Sequence, residues 1–332
     1  MAKITMEHGS GGSATDKLIS EIFSKEFYND NPGVLEDAAV APGAGTLAIT
    51  TDSFVVDPVE YPGGNIGKLC VCGTVNDLLM RGAVPKYLTC GFILQEGLEI
   101  ELLEKVVHSL AETAKEANVT ILAGDTKVVE GKGGLFINTA GVGFVPDGRS
   151  VSAANPKPGD VIIVSGTVGE HHAAILSQRL SIANNIASDN AVLVDMVGSL
   201  FEAGVEVHTL RDVTRGGLAT ILKELAVSSQ TRFELKEENI PVTPEVKNFC
   251  GLLGLDPLYM GNEGKMVAIV PESDLGKALD AIRKSKYGEN ATVIGKVVAP
   301  DEGKEGSLVV KTRIGGTRVL EVLQGEGLPR IC

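Results

Sequence analysis

The sequence lacks tryptophan, and aromatic residues make up only 4% of its 332 positions. It also lacks an excess of positive charge, because 43 acidic residues outweigh 30 basic ones and give a formal net charge of −13. Such a chain repels phosphate groups, which argues against non-specific binding to nucleic acid or to an anionic membrane surface. No apolar run approaches the roughly 20 residues that span a bilayer, and the N-terminus has no signal-peptide core. We therefore predict a cytoplasmic protein.

Cysteine is scarce and does not form a recognisable pattern. The five cysteines are Cys70, Cys72, Cys90, Cys250 and Cys332. An odd number of cysteines in a chain of this length does not indicate a disulfide framework. No pair has C-x-x-C spacing, so a structural zinc site is not expected. The apolar neighbours of the first three predict that they pack in a core.

The hydrophobic content and the length of the chain favour two domains. Hydrophobic residues make up 43% of the sequence, which suffices for two packed cores. Strand and helix patterns alternate along the chain, and the segment 155–160 (NPKPGD) is typical of a boundary. We predict a mixed α/β, two-domain fold, with an N-terminal domain over residues 1–150 and a C-terminal domain over residues 151–323. Residues 324–332 contain two glycines and a proline, which indicates a mobile arm.

Hydrophobic periodicity predicts the main elements of the first half. A helix is expected over residues 66–80, and strands over residues 46–51, 87–94 and 136–145. A short buried strand over residues 119–122 is expected to end at Gly124 and Asp125.

Acidic residues recur at the ends of these predicted elements. They are Asp37, Asp52, Asp77 and Asp125. Carboxylates in such positions can hold Mg²⁺ and bridge it to phosphates, although any one of them alone is more simply a turn residue or a helix cap.

Three basic or polar motifs accompany the acids. The run Gly124-Asp125-Thr126-Lys127 places an acid and a base at a predicted strand end, where ligand sites of α/β folds gather. Residues 211–217 (RDVTRGG) contain Arg215 shortly before a predicted helix, which suits anion binding. Residues 262–265 (NEGK) contain Glu263, which is either a buried base or a turn residue.

Standard nucleotide-binding signatures are missing. Residues 63–69 (GGNIGKL) resemble a P-loop but have the wrong spacing, and Leu69 cannot bind magnesium as serine or threonine would. A turn followed by a helix start is the simpler interpretation of this segment. The terminal Cys332 offers a thiol at the tip of the arm, and composition alone assigns it no role.

These motifs together resemble the HypE family of hydrogenase maturation factors, within the aminoimidazole ribonucleotide synthetase (PurM-like) superfamily. The resemblance covers essentially the whole chain. The matching segments are residues 8–12 (HGSGG), 36–40 (EDAAV), 51–53 (TDS), 73–82 (GTVNDLLMRG), 124–129 (GDTKVV), 211–217 (RDVTRGG), 262–265 (NEGK) and 329–332 (PRIC). The terminal motif is the most specific of them in this combination.

The resemblance implies a carbamoyl dehydratase that uses ATP and Mg²⁺. A partner carbamoyltransferase, HypF, would place a carbamoyl group on Cys332, and the enzyme would convert this thiocarboxamide to a thiocyanate. The cyanide would pass to iron on the HypC–HypD complex for the nickel–iron hydrogenase centre. Two N-terminal domains would pair into a β-barrel-like homodimer.

The resemblance also assigns roles to residues. Asp37, Asp52, Asp77 and Asp125 would hold Mg-ATP, with Thr126 beside them. Gly11, Gly12, Lys68 and Arg215 would lie on the phosphate side. Lys127 and Glu263 would flank the carbamoyl group on Cys332 and move its protons.

Two other functions remain open at the level of sequence. The first is a synthetase of the same superfamily that acts on a free small molecule, such as a selenophosphate or purine-precursor synthetase; Cys332 argues against it. The second is a sulfur or metal carrier without enzymatic activity, with Cys332 as its docking thiol; the cluster of acids argues against it.

Overall fold

The computed structural model describes residues 12–13, 16, 39–43, 45–130 and 132–325. The strands of the first half are β1 (Ala39–Gly43), β2 (Gly45–Phe54), β3 (Glu60–Tyr61), β4 (Gly64–Asn65), β5 (Val84–Gln95), β6 (Thr120–Val129) and β7 (Leu135–Val145). Its helices are α1 (Ile66–Met80) and α2 (Ile100–Glu116).

The second half has seven more strands and five more helices among the described residues. The strands are β8 (Asp160–Val164), β9 (Thr209–Asp212), β10 (Arg232–Lys236), β11 (Met266–Pro271), β12 (Thr292–Val298), β13 (Leu308–Lys311) and β14 (Thr317–Val319). The helices are α3 (Glu170–Arg179), α4 (Val194–Glu202), α5 (Gly217–Ser229), α6 (Pro244–Leu253) and α7 (Leu275–Lys284).

Each half is built on one mixed sheet. The first sheet has the order β1-β2-β7-β5-β6, in which only β5 and β6 run parallel. The second has the order β14-β13-β10-β12-β8-β11-β9, in which only β10 and β13 run parallel. Strands β3 and β4 form a separate hairpin in front of α1. This arrangement confirms the predicted mixed α/β class.

Helix α1 is the central element of the molecule. It begins as its sequence dictates, because the Asn65 side chain caps it by accepting hydrogen bonds from Gly67 N and Lys68 N at 2.9 and 3.1 Å. Nearly all of its residues are buried. The segment that resembles a P-loop is therefore a turn that caps a buried helix, as the simpler interpretation proposed.

The core around α1 extends into the second half. One continuous hydrophobic cluster joins α1 side chains such as Leu69 and Val75 to Ile163 of β8, Met196 of α4 and Met266 of β11. The two sheets thus share this cluster, and a second cluster around Phe233 and Ile269 lies wholly in the second half. The cysteines Cys70, Cys72 and Cys90 lie in the first cluster, as predicted.

The predicted elements of the first half are found, although β2, β5 and β6 are longer than expected. Strand β2 continues to Phe54, so that Asp52 lies within the strand and not at its end. Strand β6 is neither short nor buried. It runs to Val129, has β5 as its one neighbour among the described strands, and leaves Leu122 and Val128 60% and 69% exposed. Its apolar run indicated only the first residues of the strand.

Among the described residues, no helix has both the length and the apolarity that crossing a bilayer requires.

Candidate functional site

Two of the predicted acids meet where α1 packs on the first sheet. Asp52 of β2 and Asp77 of α1 share a hydrogen bond between their carboxyl groups. Thr50 Oγ1 donates to Asp77 Oδ2 at 2.8 Å, and Thr74 bonds to Asp52. Strand and helix approach closely because Gly73 has no side chain: a Cβ there would lie 2.9 Å from the Phe54 ring.

The electrostatics of this pair favour a cation. Burial raises the pKa of Asp52 above its ordinary value, and neighbouring Arg215 together with hydrogen bonds from Asp77 and Thr74 opposes that rise only in part. Two carboxyl groups in contact cannot both ionise cheaply unless a positive charge lies between them. Arg215 itself is exposed, in the loop before α5.

Glu263 lies on the second half and faces the same junction. It is 4% exposed, in the loop before β11, although it carries a carboxyl group. Burial raises its pKa well above the ordinary value, the charges of Asp212, Asp189 and Asp52 add to this, and Arg215 partly offsets it. A buried acid with a strongly perturbed pKa among other ionisable groups is typical of a catalytic site.

Asp125 and Lys127 lie elsewhere. In the register of the first sheet, Asp52 pairs with Thr139, whereas Asp125 belongs to the next row with Gly91 and Asn138. Side chains of adjacent rows point to opposite faces. Within one chain, Asp125 therefore lies on the face of the sheet opposite to the Asp52–Asp77 pair.

That opposite face also holds Lys127. Its Nζ lies 2.7 Å from Asp125, and both side chains are 67% exposed. We call this the open face; it also carries Ile49, Tyr87 and Ile93, which are 43%, 39% and 44% exposed. The predicted proton-handling pair, Lys127 and Glu263, is thus not brought together within one chain.

Lys68 and Gly12 also stand apart from the Asp52–Asp77 pair. Lys68 is in the first turn of α1, nine residues before Asp77, which is about 13 Å along a helix axis. Gly12 packs against the start of the C-terminal arm, where a Cβ would lie 2.4 Å from Leu323 O. Thr126 lies in β6. Gly11, Asp37 and Cys332 lie outside the described residues.

Sequence reasoning missed three residues of the junction. Asp189 and Asp212 are among the acids that act on Glu263. Asn76 of α1 bonds across the junction, donating to Ala191 O and accepting from Leu193 N, both at 3.0 Å. Asn76 lies directly beside Asp77, within the segment 73–82 that resembles the family. Asp189 follows no recognisable pattern, and only its three-dimensional position gives it a role.

No group of three or more candidate metal ligands forms among the residues that the structure describes. The Asp52–Asp77 pair is nevertheless suited to Mg²⁺, which commonly uses one or two carboxylates and takes its other ligands from phosphates and water.

Two family profiles match the chain. The profile described as AIR synthase related protein, N-terminal domain, matches residues 35–145, and its C-terminal counterpart matches residues 157–306. The first profile spans the strands of the first sheet, the second spans β8 to β12 of the second sheet, and together they cover more than half of the chain.

Individual relatives match over nearly the full length. A carbamoyl dehydratase HypE of Rhodobacter capsulatus is 45% identical over 99% of this chain and 98% of its own length. The crystal structure of a hydrogenase maturation protein HypE in complex with ATP is 46% identical, with a TM-score of 0.84 over 99% of this chain and 100% of that one. A HypE–HypF complex contains a chain that is 43% identical, with a TM-score of 0.86 over 92% of this chain and 99% of that one. The chain therefore belongs to the HypE family of hydrogenase maturation carbamoyl dehydratases, within the AIR synthase related proteins.

Proposed function

We propose that this chain dehydrates a carbamoyl group carried on its own Cys332, converting a thiocarboxamide to a thiocyanate at the expense of ATP. The observation that carries the proposal is the buried Glu263, which faces the Asp52–Asp77 pair across the junction of the two halves. The dehydration needs a group suited to proton transfer, which Glu263 provides. It also needs groups that hold a metal–phosphate complex, which Asp52 and Asp77 provide.

The reaction balances without a further reagent. The thiocarboxamide and ATP give the thiocyanate, ADP and phosphate, so the oxygen of the amide leaves as part of the phosphate. Bound Mg-ATP would supply the phosphoryl group that turns the amide oxygen into a leaving group. Asp52 and Asp77 would hold the metal, and Arg215 would neutralise phosphate charge.

Glu263 would accept a proton from the amide nitrogen. Because burial and nearby acids raise its pKa, its carboxylate is a stronger base than an ordinary glutamate. The buried position also excludes water, which would compete for the activated group.

The arm would carry Cys332 to this junction. Its base is held by hydrogen bonds from Leu323 N to Thr220 Oγ1 at 3.2 Å, from Ser13 N to Leu323 O at 3.3 Å and from Ser13 Oγ to Gln324 Oε1 at 2.9 Å. The nine residues from 324 to 332 span up to about 30 Å when extended.

A second copy of the chain would complete the site. The apolar side chains on the open face favour pairing of two first sheets, which is the expected β-barrel-like homodimer. Pairing would also bring the Asp125–Lys127 pair of one copy towards Glu263 of the other copy. We accordingly propose the division into residues 1–150 for ATP binding and dimerisation, 151–323 for the second domain and 324–332 for the arm, in a cytoplasmic protein.

Two partners follow from the chemistry. The structure of a relative in complex with HypF supports a carbamoyltransferase HypF as the donor for Cys332. An iron carrier of the HypC–HypD type would receive the cyanide for the nickel–iron centre of the hydrogenase.

Mass spectrometry of the C-terminal peptide tests the proposal. After incubation with ATP and the carbamoyl donor system, the peptide should gain a carbamoyl group and then lose one water only when ATP is present. Cys332→Ala should gain nothing. Cys250→Ala is the matched control and should react as the wild type does, because burial raises the pKa of that thiol to about 11 and keeps it inert. Absence of ATP-dependent water loss from a carbamoylated wild-type arm would contradict the proposal.

A further inference from the structure

The segment of residues 186–193 lies between the two halves and is bonded to the first. Ser188 N donates to Pro62 O at 2.7 Å, and Asn190 Nδ2 donates to Tyr61 OH at 3.1 Å. The side chain of Asn76 fixes the end of the segment through Ala191 O and Leu193 N. We call residues 186–193 the junction segment.

Asp189 is the residue of the junction segment whose side chain bonds to the turn that carries Glu263. Its Oδ1 accepts a hydrogen bond from Glu263 N at 3.2 Å, and its Oδ2 accepts one from Gly264 N at 3.3 Å. Lys265 Nζ lies 3.4 Å from the same Oδ2. One carboxylate therefore binds three consecutive residues of the turn that carries Glu263.

The fit between the junction segment and this turn is close. At Gly264, a Cβ would lie 2.0 Å from Asp189 O and 2.9 Å from the Ala191 side chain, so no side chain can be accommodated. Ala191 N also donates to Glu263 O at 3.4 Å. The position of the turn is thus set by the junction segment and not only by β11.

The Asp189 side chain is only 4% exposed, although it carries a carboxyl group. A buried carboxylate is costly unless it is fully bonded, and it lies beside another buried acid. Asparagine has a single acceptor oxygen and would face the second backbone N–H with its own donor group. Only an aspartate accepts both backbone N–H groups and pairs with Lys265 at this position.

We propose that Asp189 is a positioning residue, which holds Glu263 at a fixed place relative to the Asp52–Asp77 pair. The junction segment links the two groups, because Asn76 bonds the segment to α1, the helix that carries Asp77. The inference rests on the proposed function, in which Glu263 accepts a proton from the carbamoyl group. It adds a residue that need not touch ATP or the carbamoyl group.

The test compares Asp189→Asn with Asp160→Asn in the full chain supplied with a carbamoylated arm. Asp160 is a matched control, because it is a buried aspartate of the same half, accepts from Lys157 N at 2.9 Å and pairs with His208 at 2.7 Å. For Asp189→Asn we expect kcat for water loss to fall about 10- to 100-fold, because misplacement of a catalytic group costs rate, while KM for ATP stays unchanged. Asp160→Asn should lower Tm but leave both constants at the wild-type values.

An unchanged kcat in Asp189→Asn, or a loss that raises KM for ATP in proportion, would overturn the inference. If Asp189→Asn does not fold, Asn76→Ser loosens the junction segment from α1 and should give the same fall in kcat alone. The rate of water loss in the wild type tests the proposed function separately. If the wild type does not convert its carbamoylated arm, the proposed function is wrong; if it does and Asp189→Asn converts it equally fast, only the role of Asp189 is wrong.

Discussion

At the scale of single residues, Glu263 combines a functional advantage with a cost in stability. Its carboxyl group is buried, and three aspartates nearby raise its pKa further. An acid whose pKa is higher in the folded state than in the unfolded state binds its proton more tightly when folded. Its stabilising effect is complete below the unfolded pKa, near 4.3, and is lost as pH rises through the folded pKa.

Glu263→Gln should therefore stabilise the protein in a pH-dependent way. We expect the Tm of the variant to match that of the wild type near pH 4, below the unfolded pKa, and to exceed it at pH 8. A gain of 1 kcal/mol would appear as about 2–4 °C. Thermal unfolding across this pH range measures the effect, with Glu302→Gln in an exposed loop as the control that should show no trend. A variant that is less stable than the wild type at pH 8 would argue against an electrostatic cost at this site.

At the scale of elements, helix α1 holds the site together because it contacts both halves and carries Asn76 and Asp77. Its crossing with α2 depends on Gly67 in its first turn. A Cβ at this position would lie 2.1 Å from Val106 O, so the backbones of the two helices meet without room for a methyl group. Glycine is unfavourable within a helix, and here close packing compensates for it.

Gly67→Ala should destabilise the protein although alanine favours helices. Forcing an extra methyl into a packed interior costs about 1–3 kcal/mol, which would exceed the gain in helix propensity. Gly251→Ala in α6 is the matched control: no atom lies within 4 Å of its Cβ position, so we expect a gain of up to about 1 kcal/mol. Chemical denaturation followed by circular dichroism gives both values, and an equally stable Gly67→Ala would show that the helices can separate without cost.

At the scale of the whole molecule, Lys127 and Glu263, the two residues expected from the sequence to move protons, are separated within one chain. Glu263 lies at the junction of the halves, whereas Asp125 and Lys127 lie on the open face of the first sheet. If both groups act on one carbamoyl group, two copies must contribute to one site.

Mixing two inactive variants tests this arrangement. Lys127→Ala and Glu263→Ala should each fail to dehydrate the arm while binding ATP. A dimer with one copy of each variant would contain one site in which both residues are intact and one in which both are changed. Because random exchange makes half of the dimers mixed, it should restore about a quarter of the wild-type rate. Each variant incubated alone is the control. If the mixture stays inactive after subunit exchange has been verified, the two residues act within one chain or not on the same group.

Much of the fold could be read from the sequence, because periodicity and capping are local properties. The bounds of α1 were predicted to the residue from its apolar pattern, and Asn65 caps it two residues after Gly63. Strand β7 was predicted to within one residue. Membership of the HypE family was also visible in the sequence and is confirmed by relatives of full length.

The tertiary structure alone decided which of these residues meet. A sequence motif shows that Asp52, Asp77, Asp125 and Glu263 are present, but not on which face of a sheet each one lies. The face depends on strand register: a displacement of one residue in the pairing of β5 with β6 would turn Asp125 to the side of Asp52. The role of Asp189 likewise depends on contacts between parts of the chain that are 74 residues apart. The sequence by itself determined the elements and the chemistry they carry, whereas long-range packing determined the grouping of these residues, because burial and charge act through space and not along the chain.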